Sequence, residues 1–139
     1  MTKPVSATIL LQRPDGTILM QLRDDGGGKH IPFPNMWNFP GGMVEPNERP
    51  IDAAVREIGE EFEIAIKESD CKEIWGYTHE YASRDHIFLC RVPTDTNPIL
   101  HEGATFAWMT LEKIATLKLG FDQKKIVAYL TERARVVRD

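Results

Sequence analysis

The chain has 139 residues, 42% of them hydrophobic, which suits a single globular domain over residues 1–139 that is large enough to bury a core. Seventeen basic side chains against 21 acidic ones leave a formal net charge of −4. There is no basic field for a nucleic acid polymer, whereas a single nucleotide bound through a metal stays compatible.

The opening stretch MTKPVSATILLQRPDG holds no apolar run long enough for a signal peptide or a membrane span. Val5 to Gln12 is apolar and β-branched, stops at Arg13-Pro14-Asp15-Gly16, and resumes as an extended run from Thr17 to Leu22. That pattern predicts a strand, a turn and a second strand. Asp24 to Met36 contains Gly26-Gly27-Gly28 and Ile31-Pro32-Phe33-Pro34, so a flexible loop is expected, of a length that commonly carries function. Lys29 or His30 in that loop could meet an anionic ligand. Otherwise His30, His79, His86 and His101 read as surface or packing residues. Trp37 to Gly42 reads as one short strand entering a glycine turn that admits close backbone approach, with at least one of Trp37 and Phe39 in the core.

Pro50 to Phe62 predicts a helix with two distinct faces. At roughly 100° per residue, Ile51, Val55, Ile58 and Phe62 share one arc, and Glu57, Glu60 and Glu61 share another. The acidic arc is costly, because like charges three and four residues apart repel. The helix is poorly optimised in other ways: its N-cap, Arg49, accepts no amide hydrogen, and Gly59 lies in its interior. Pro50 and Asp52 favour its start. A hard divalent cation would convert the repulsion into coordination, since oxygen is the ligand such ions prefer. The plain alternative is a solvated acidic face.

Beyond the helix, Lys72 to Tyr81 and Arg84 to Val92 are expected as strands of a hairpin that turns near Ala82-Ser83. Pro93 to Gly103 is a loop, Phe106 to Met109 a strand, and Leu111 to Ala115 one helical turn. Asp122 to Arg138 predicts a final helix with Asp122 as N-cap and Ile126, Val127, Leu130 and Ala134 as its buried stripe. Cys71 and Cys90 read as reduced thiols packed in a core, consistent with a cytoplasmic protein. Strands with helices on both sides of the acidic helix fit an α/β/α sandwich around a mixed β-sheet.

The acidic helix belongs to a longer pattern. Five residues separate Gly42 from Glu48, seven more lead to Arg56-Glu57, and Ile58, Glu60-Glu61 and Ile64 follow. This resembles the Nudix box of the Nudix hydrolases, which cleave nucleoside diphosphates linked to another group. One position departs: Glu63 stands where the family has glycine, at a spot where a left-handed residue often ends a helix. Nudix domains open with paired strands and often carry a basic residue at the end of the second. Here that residue is Arg23, which would face substrate phosphate or else be an exposed loop arginine. His101-Glu102-Gly103, with Trp108-Met109 after it, is similar to a segment of MutT-like members in which a loop glutamate approaches the metals. In the same relatives a polar residue at the start of the last helix touches the base, and Asp122 and Gln123 match that place.

The resemblance implies that Glu57, Glu60, Glu61 and the Gly42 carbonyl hold Mg²⁺, or Mn²⁺, with base catalysis falling to Glu57, Glu60 or Glu102. Arg56 would hold the glutamates in place by salt bridges, and Glu48 would support the site from the adjoining loop. The expected activity is hydrolysis of a nucleoside diphosphate linked to another moiety, a MutT-like triphosphate pyrophosphohydrolase first among the choices. The partner is then a small nucleotide or another diphosphate, with no membrane, and the protein a monomer or homodimer. A nucleotide-sensing module that has lost turnover is a second reading, which Glu63 mildly supports. Isomerisation of an isoprenoid diphosphate would want a reactive cysteine, and neither Cys71 nor Cys90 has an activating neighbour in sequence.

Overall fold

Strand β1 (Val5–Gln12) is the axis of a seven-stranded mixed sheet. The computed structural model describes residues 3–28 and 30–138. Lys29 therefore lies outside the described residues. The other strands are β2 (Ile18–Leu22), β3 (Trp37–Asn38), β4 (Gly41–Met43), β5 (Cys71–His79), β6 (Ala82–Arg91) and β7 (Thr105–Met109). The strand order is β3-β2-β1-β6-β5, with β4 also on β1 and β7 also on β2. β1 and β6 run parallel from Val5↔Arg84 to Gln12↔Arg91, and every other pairing is antiparallel.

Period-two alternation along β1 divides the core between two helical layers. Ala7, Ile9 and Leu11 face Ala53, Ala54, Ile58 and Phe62 of α1 (Pro50–Phe62). Leu10, with Ile87 of β6, faces Ile114 of α2 (Leu111–Ile114) and Ile126 and Val127 of α3 (Lys124–Arg138). Because β1 is covered on both sides, its sequence reads as a continuous apolar run. Trp75 stacks on Tyr129 with ring centroids 4.5 Å apart, and the Tyr129 hydroxyl donates to the Ile74 carbonyl at 2.9 Å, seating α3 on β5. The three-layer α/β/α architecture agrees with the sequence expectation.

Four details differ from it. The hairpin turns at Glu80-Tyr81, because His79 pairs with Ala82 and the Tyr81 N–H donates to His79 Nδ1 at 3.1 Å. Trp37 to Gly42 is two strands rather than one: β3 pairs with β2 and β4 with β1, the chain crossing between them at Phe39-Pro40. Asp122 does not cap α3. Phe121 and Asp122 both have left-handed backbones, with φ of 56° and 60°, so the helix begins at Lys124 and Asp122 pairs with Lys125 at 2.9 Å. Ala134 is exposed, and the buried stripe of α3 ends a turn early, at the half-buried Leu130. Cys71 and Cys90 face each other across the β5–β6 ladder as free thiols.

Candidate active site

The acidic arc of α1 is divided by burial. Glu61 is 4% exposed and its Oε2 has no hydrogen-bond partner, a costly state for a buried polar atom. Burial, then the neighbouring Glu57 and Glu102 carboxylates, push the Glu61 carboxyl up to about 10. Glu57 is largely covered, whereas Glu60 points outward with its side chain 61% exposed. Gly42 leaves room beside them, since a β-carbon there would meet the Glu57 carboxyl group and displace it. Gly41 is required for a separate reason: a β-carbon would strike the Ala7 carbonyl where β4 joins β1.

Arg56 is the clamp of this face. Its Nε and Nη2 donate to the two oxygens of Glu48 at 2.9 and 3.0 Å, and Nη2 also donates to the Met43 carbonyl at 3.1 Å. Its Nη1 donates to Glu57 Oε1 at 2.7 Å and reaches Glu60 Oε2 at 3.5 Å. The forked guanidinium thereby ties α1 to the loop before it. It also holds the Glu48 carboxyl below the usual carboxylate range, helped by the Glu45 N–H.

Glu102 comes to the same face through the backbone. The Ile99 and His101 N–H groups donate to the Phe62 and Glu61 carbonyls at 2.9 and 2.8 Å, so the loop after β6 satisfies carbonyls at the end of α1. Gln21 Nε2 then donates to the Glu102 carbonyl at 2.6 Å. Arg23 lies nearby, its Nε bonded to the Pro32 carbonyl at 2.8 Å and its guanidinium 5.0 Å from the Phe121 ring centroid.

Glu57, Glu61, Glu102, Gly42 and Arg23 all line one cleft of about 480 Å³, a size suited to a small-molecule ligand. Glu60 and His30 do not line it. Gln123 does, but its amide is already engaged: Oε1 accepts the Phe39 N–H at 2.8 Å and Nε2 donates to the Phe39 carbonyl at 3.5 Å. The cleft also holds a buried polar set that the sequence did not single out, Thr8, His79 and Asp85. Its signal was present as polar residues interrupting apolar strands, but the three lie far apart in sequence and meet through the β1–β6 and β5–β6 pairings.

The donor set on the carboxylate side is entirely oxygen, which suits a hard divalent cation. Among the described residues, no three acidic, histidine or cysteine side chains form a closed cluster, because Arg56 engages Glu57 and Glu60 turns outward. The orphaned Glu61 oxygen is nevertheless what a cation between these carboxylates would satisfy.

The sequence model of the NUDIX domain matches residues 2–130. The chain belongs to the Nudix hydrolase family. A dihydroneopterin triphosphate diphosphatase of Haemophilus influenzae is 29% identical over 69% of this Nudix chain and 66% of its own length. An 8-oxo-dGTP diphosphatase of Proteus vulgaris is 42% identical over 38% of the chain and 45% of its own. The chain thus spans less than two thirds of the length of either relative. A MutT protein of Methanosarcina mazei has the same Nudix fold, with a TM-score of 0.75 at 19% identity over 96% of both chains. Nudix hydrolases generally use divalent metal ions, and no helix among the described residues is long and apolar enough to cross a membrane.

Proposed function

We propose that the protein is a divalent-cation-dependent hydrolase of a nucleoside diphosphate linked to another group, with nucleoside triphosphates and similar small triphosphates first among its substrates. The observation that carries this reading is the buried, unpartnered oxygen of Glu61 between Glu57 and Glu102 in a cleft that also holds Arg23. Glu57, Glu60, Glu61 and the Gly42 carbonyl would hold Mg²⁺ or Mn²⁺, Glu60 joining by swinging in from its outward position. When bound, such an ion neutralises phosphoryl oxygens and lowers the pKa of water.

The chain's own side chains do the remaining work. Arg23 orients the phosphates from the mouth of the cleft by its free guanidinium nitrogens. Glu102 or Glu57 takes the proton of the attacking water, with Glu60 a third choice only in the inward position. Arg56 and Glu48 fix the angle at which α1 presents its acids. The relatives named for dihydroneopterin triphosphate and 8-oxo-dGTP support a triphosphate that loses diphosphate.

The test is a panel of nucleoside triphosphates, sugar nucleotides, dinucleoside polyphosphates and a pterin triphosphate, incubated with Mg²⁺ and with Mn²⁺, the product masses being read out. Monophosphate plus diphosphate from at least one compound is expected. Binding of a nucleotide with no cleavage in any arm would instead establish the sensing module.

A further inference from the structure

The cleft does not end at the carboxylates. It is also lined by Thr8 of β1, His79 of β5 and Asp85 of β6, which are 5%, 6% and 3% exposed. The Thr8 hydroxyl donates to Asp85 Oδ1 at 2.9 Å, and His79 Nε2 lies 3.0 Å from Asp85 Oδ2. The Tyr81 N–H donates to His79 Nδ1 at 3.1 Å. An imidazole whose Nδ1 accepts carries its proton on Nε2, so His79 is a neutral donor to Asp85.

Asp85 is thus a buried carboxylate held by two neutral donors. Among the described residues no lysine or arginine forms a salt bridge with it. The nearby Lys3 donates to the His79 carbonyl at 3.2 Å instead. A carboxylate oxygen accepts two hydrogen bonds, and among the described residues each oxygen of Asp85 has one. Two acceptor sites therefore remain on a carboxylate that lines the cleft.

The ligand group that fills both is a pair of parallel N–H donors, the geometry that makes arginine–carboxylate pairs bidentate. On a planar ring this is a ring N–H beside an exocyclic amino group, the edge shared by guanine and pterins. Adenine and cytosine place a ring acceptor beside their amino group, and uracil flanks its N–H with two carbonyls. Each of these sets a lone pair against Asp85, and a buried polar group left unpaired discriminates strongly. Tyr81 and Phe121 also line the cleft, with ring centroids 6.0 Å apart, and offer a planar ring an apolar surface. Gln123 also lines the cleft, with one acceptor site and one donor of its amide taken by Phe39.

We infer that Asp85, oriented by Thr8 and His79, is the specificity residue of the cleft, selecting substrates whose phosphates are attached to a ring with the guanine-type N–H and amino edge. The inference rests on the hydrolase reading for the placement of the phosphates beside Glu57, Glu61 and Arg23. Its test needs no turnover, so the two can fail separately.

The probes are GMP, IMP, 1-methyl-GMP, AMP, CMP, UMP and a pterin monophosphate, with binding to the full chain measured by calorimetry in the presence of Mg²⁺. GMP, the pterin or both should bind about 10- to 100-fold more tightly than AMP, CMP and UMP, and loss of the amino group in IMP or of the ring N–H in 1-methyl-GMP should weaken guanine binding. The guanine and pterin arms decide which ring is the natural one. Asp85→Asn should remove the preference, with GMP losing affinity relative to AMP and CMP, and Thr8→Val should reduce it in the same direction. Equal binding of AMP, GMP and the pterin monophosphate by the wild-type protein would overturn the inference even if Asp85→Asn failed to fold. A folded Asp85→Asn protein that kept the preference would overturn it too, leaving Asp85 as a strut between strands. Absence of hydrolysis, with the preference intact, would overturn the hydrolase reading alone.

Discussion

His101 Nε2 lies 3.0 Å from Glu63 Oε2, across the point where α1 ends in a left-handed turn. Glu63 has φ of 52° and ψ of 37°, and its N–H donates to the Gly59 carbonyl at 3.0 Å. The conformation that a glycine would take without cost is therefore kept by a residue with a side chain, at a cost of about 1 kcal/mol. The His101 contact is half exposed on both sides, so it returns little of that. Glu63→Gly should raise the unfolding free energy by about 1 kcal/mol, read from urea denaturation, with turnover unchanged. A lower urea midpoint would show that the contact with His101 outweighs the backbone strain.

That turn also shows how far the sequence could be read. The spacing from Gly42 to Ile64 located α1 and its two faces, because each depends on residues close in the chain, whereas Glu63 in place of glycine left the exit of the helix open until the structure showed it left-handed. The strands were legible from apolar runs. What could not be read was set by contacts across the fold: the pairing of Gln123 with Phe39 and the meeting of Thr8 with Asp85. The outward direction of Glu60 likewise depends on the Arg56 clamp rather than on helical spacing.

Arg56 makes that clamp sensitive to a change that preserves charge. A lysine cannot reproduce the fork that serves Glu48, Glu57 and the Met43 carbonyl together. Arg56→Lys should leave circular dichroism unchanged while raising the Mg²⁺ concentration needed for half-maximal activity by about 10- to 100-fold. An unaltered Mg²⁺ dependence would show that the acids of α1 keep their positions without it.

Glu61 predicts a pH dependence for the metal-free protein. Its folded-state pKa is raised, from the ordinary 4.5 to about 10, by burial beside Glu57 and Glu102. Below 4.5 both the folded and the unfolded chain carry the proton, and stability is complete. Between 4.5 and about 10 the unfolded chain releases a proton that the folded chain retains, so stability falls as pH rises. Melting temperatures recorded in a chelator should decline across that window, and added Mg²⁺ should oppose the decline. Glu61→Gln should flatten the profile and lower turnover by orders of magnitude with the fold intact. A wild-type profile that climbs from pH 5 to pH 9 in chelator would contradict the buried, unpaired state of this acid.

Two glycines close to the acids separate a need for space from a weakness of the helix. A β-carbon at Gly42 meets the Glu57 carboxyl group directly, so Gly42→Ala must displace either β4 or that side chain. A β-carbon at Gly59 has the Ile64 carbonyl oxygen as its nearest neighbour, at 4.0 Å, and the backbone there is helical. Gly59→Ala should therefore stabilise the protein by about 1 kcal/mol and leave turnover as it is, since alanine gains over glycine in a helix interior. Gly42→Ala should retain the far-ultraviolet spectrum and lose turnover by about 100-fold, because misplacing a reacting group by about 1 Å has that effect. Measured side by side, the pair distinguishes damage to the site from damage to α1. If Gly42→Ala retained full activity, Glu57 would not need the position in which Gly42 and Arg56 hold it.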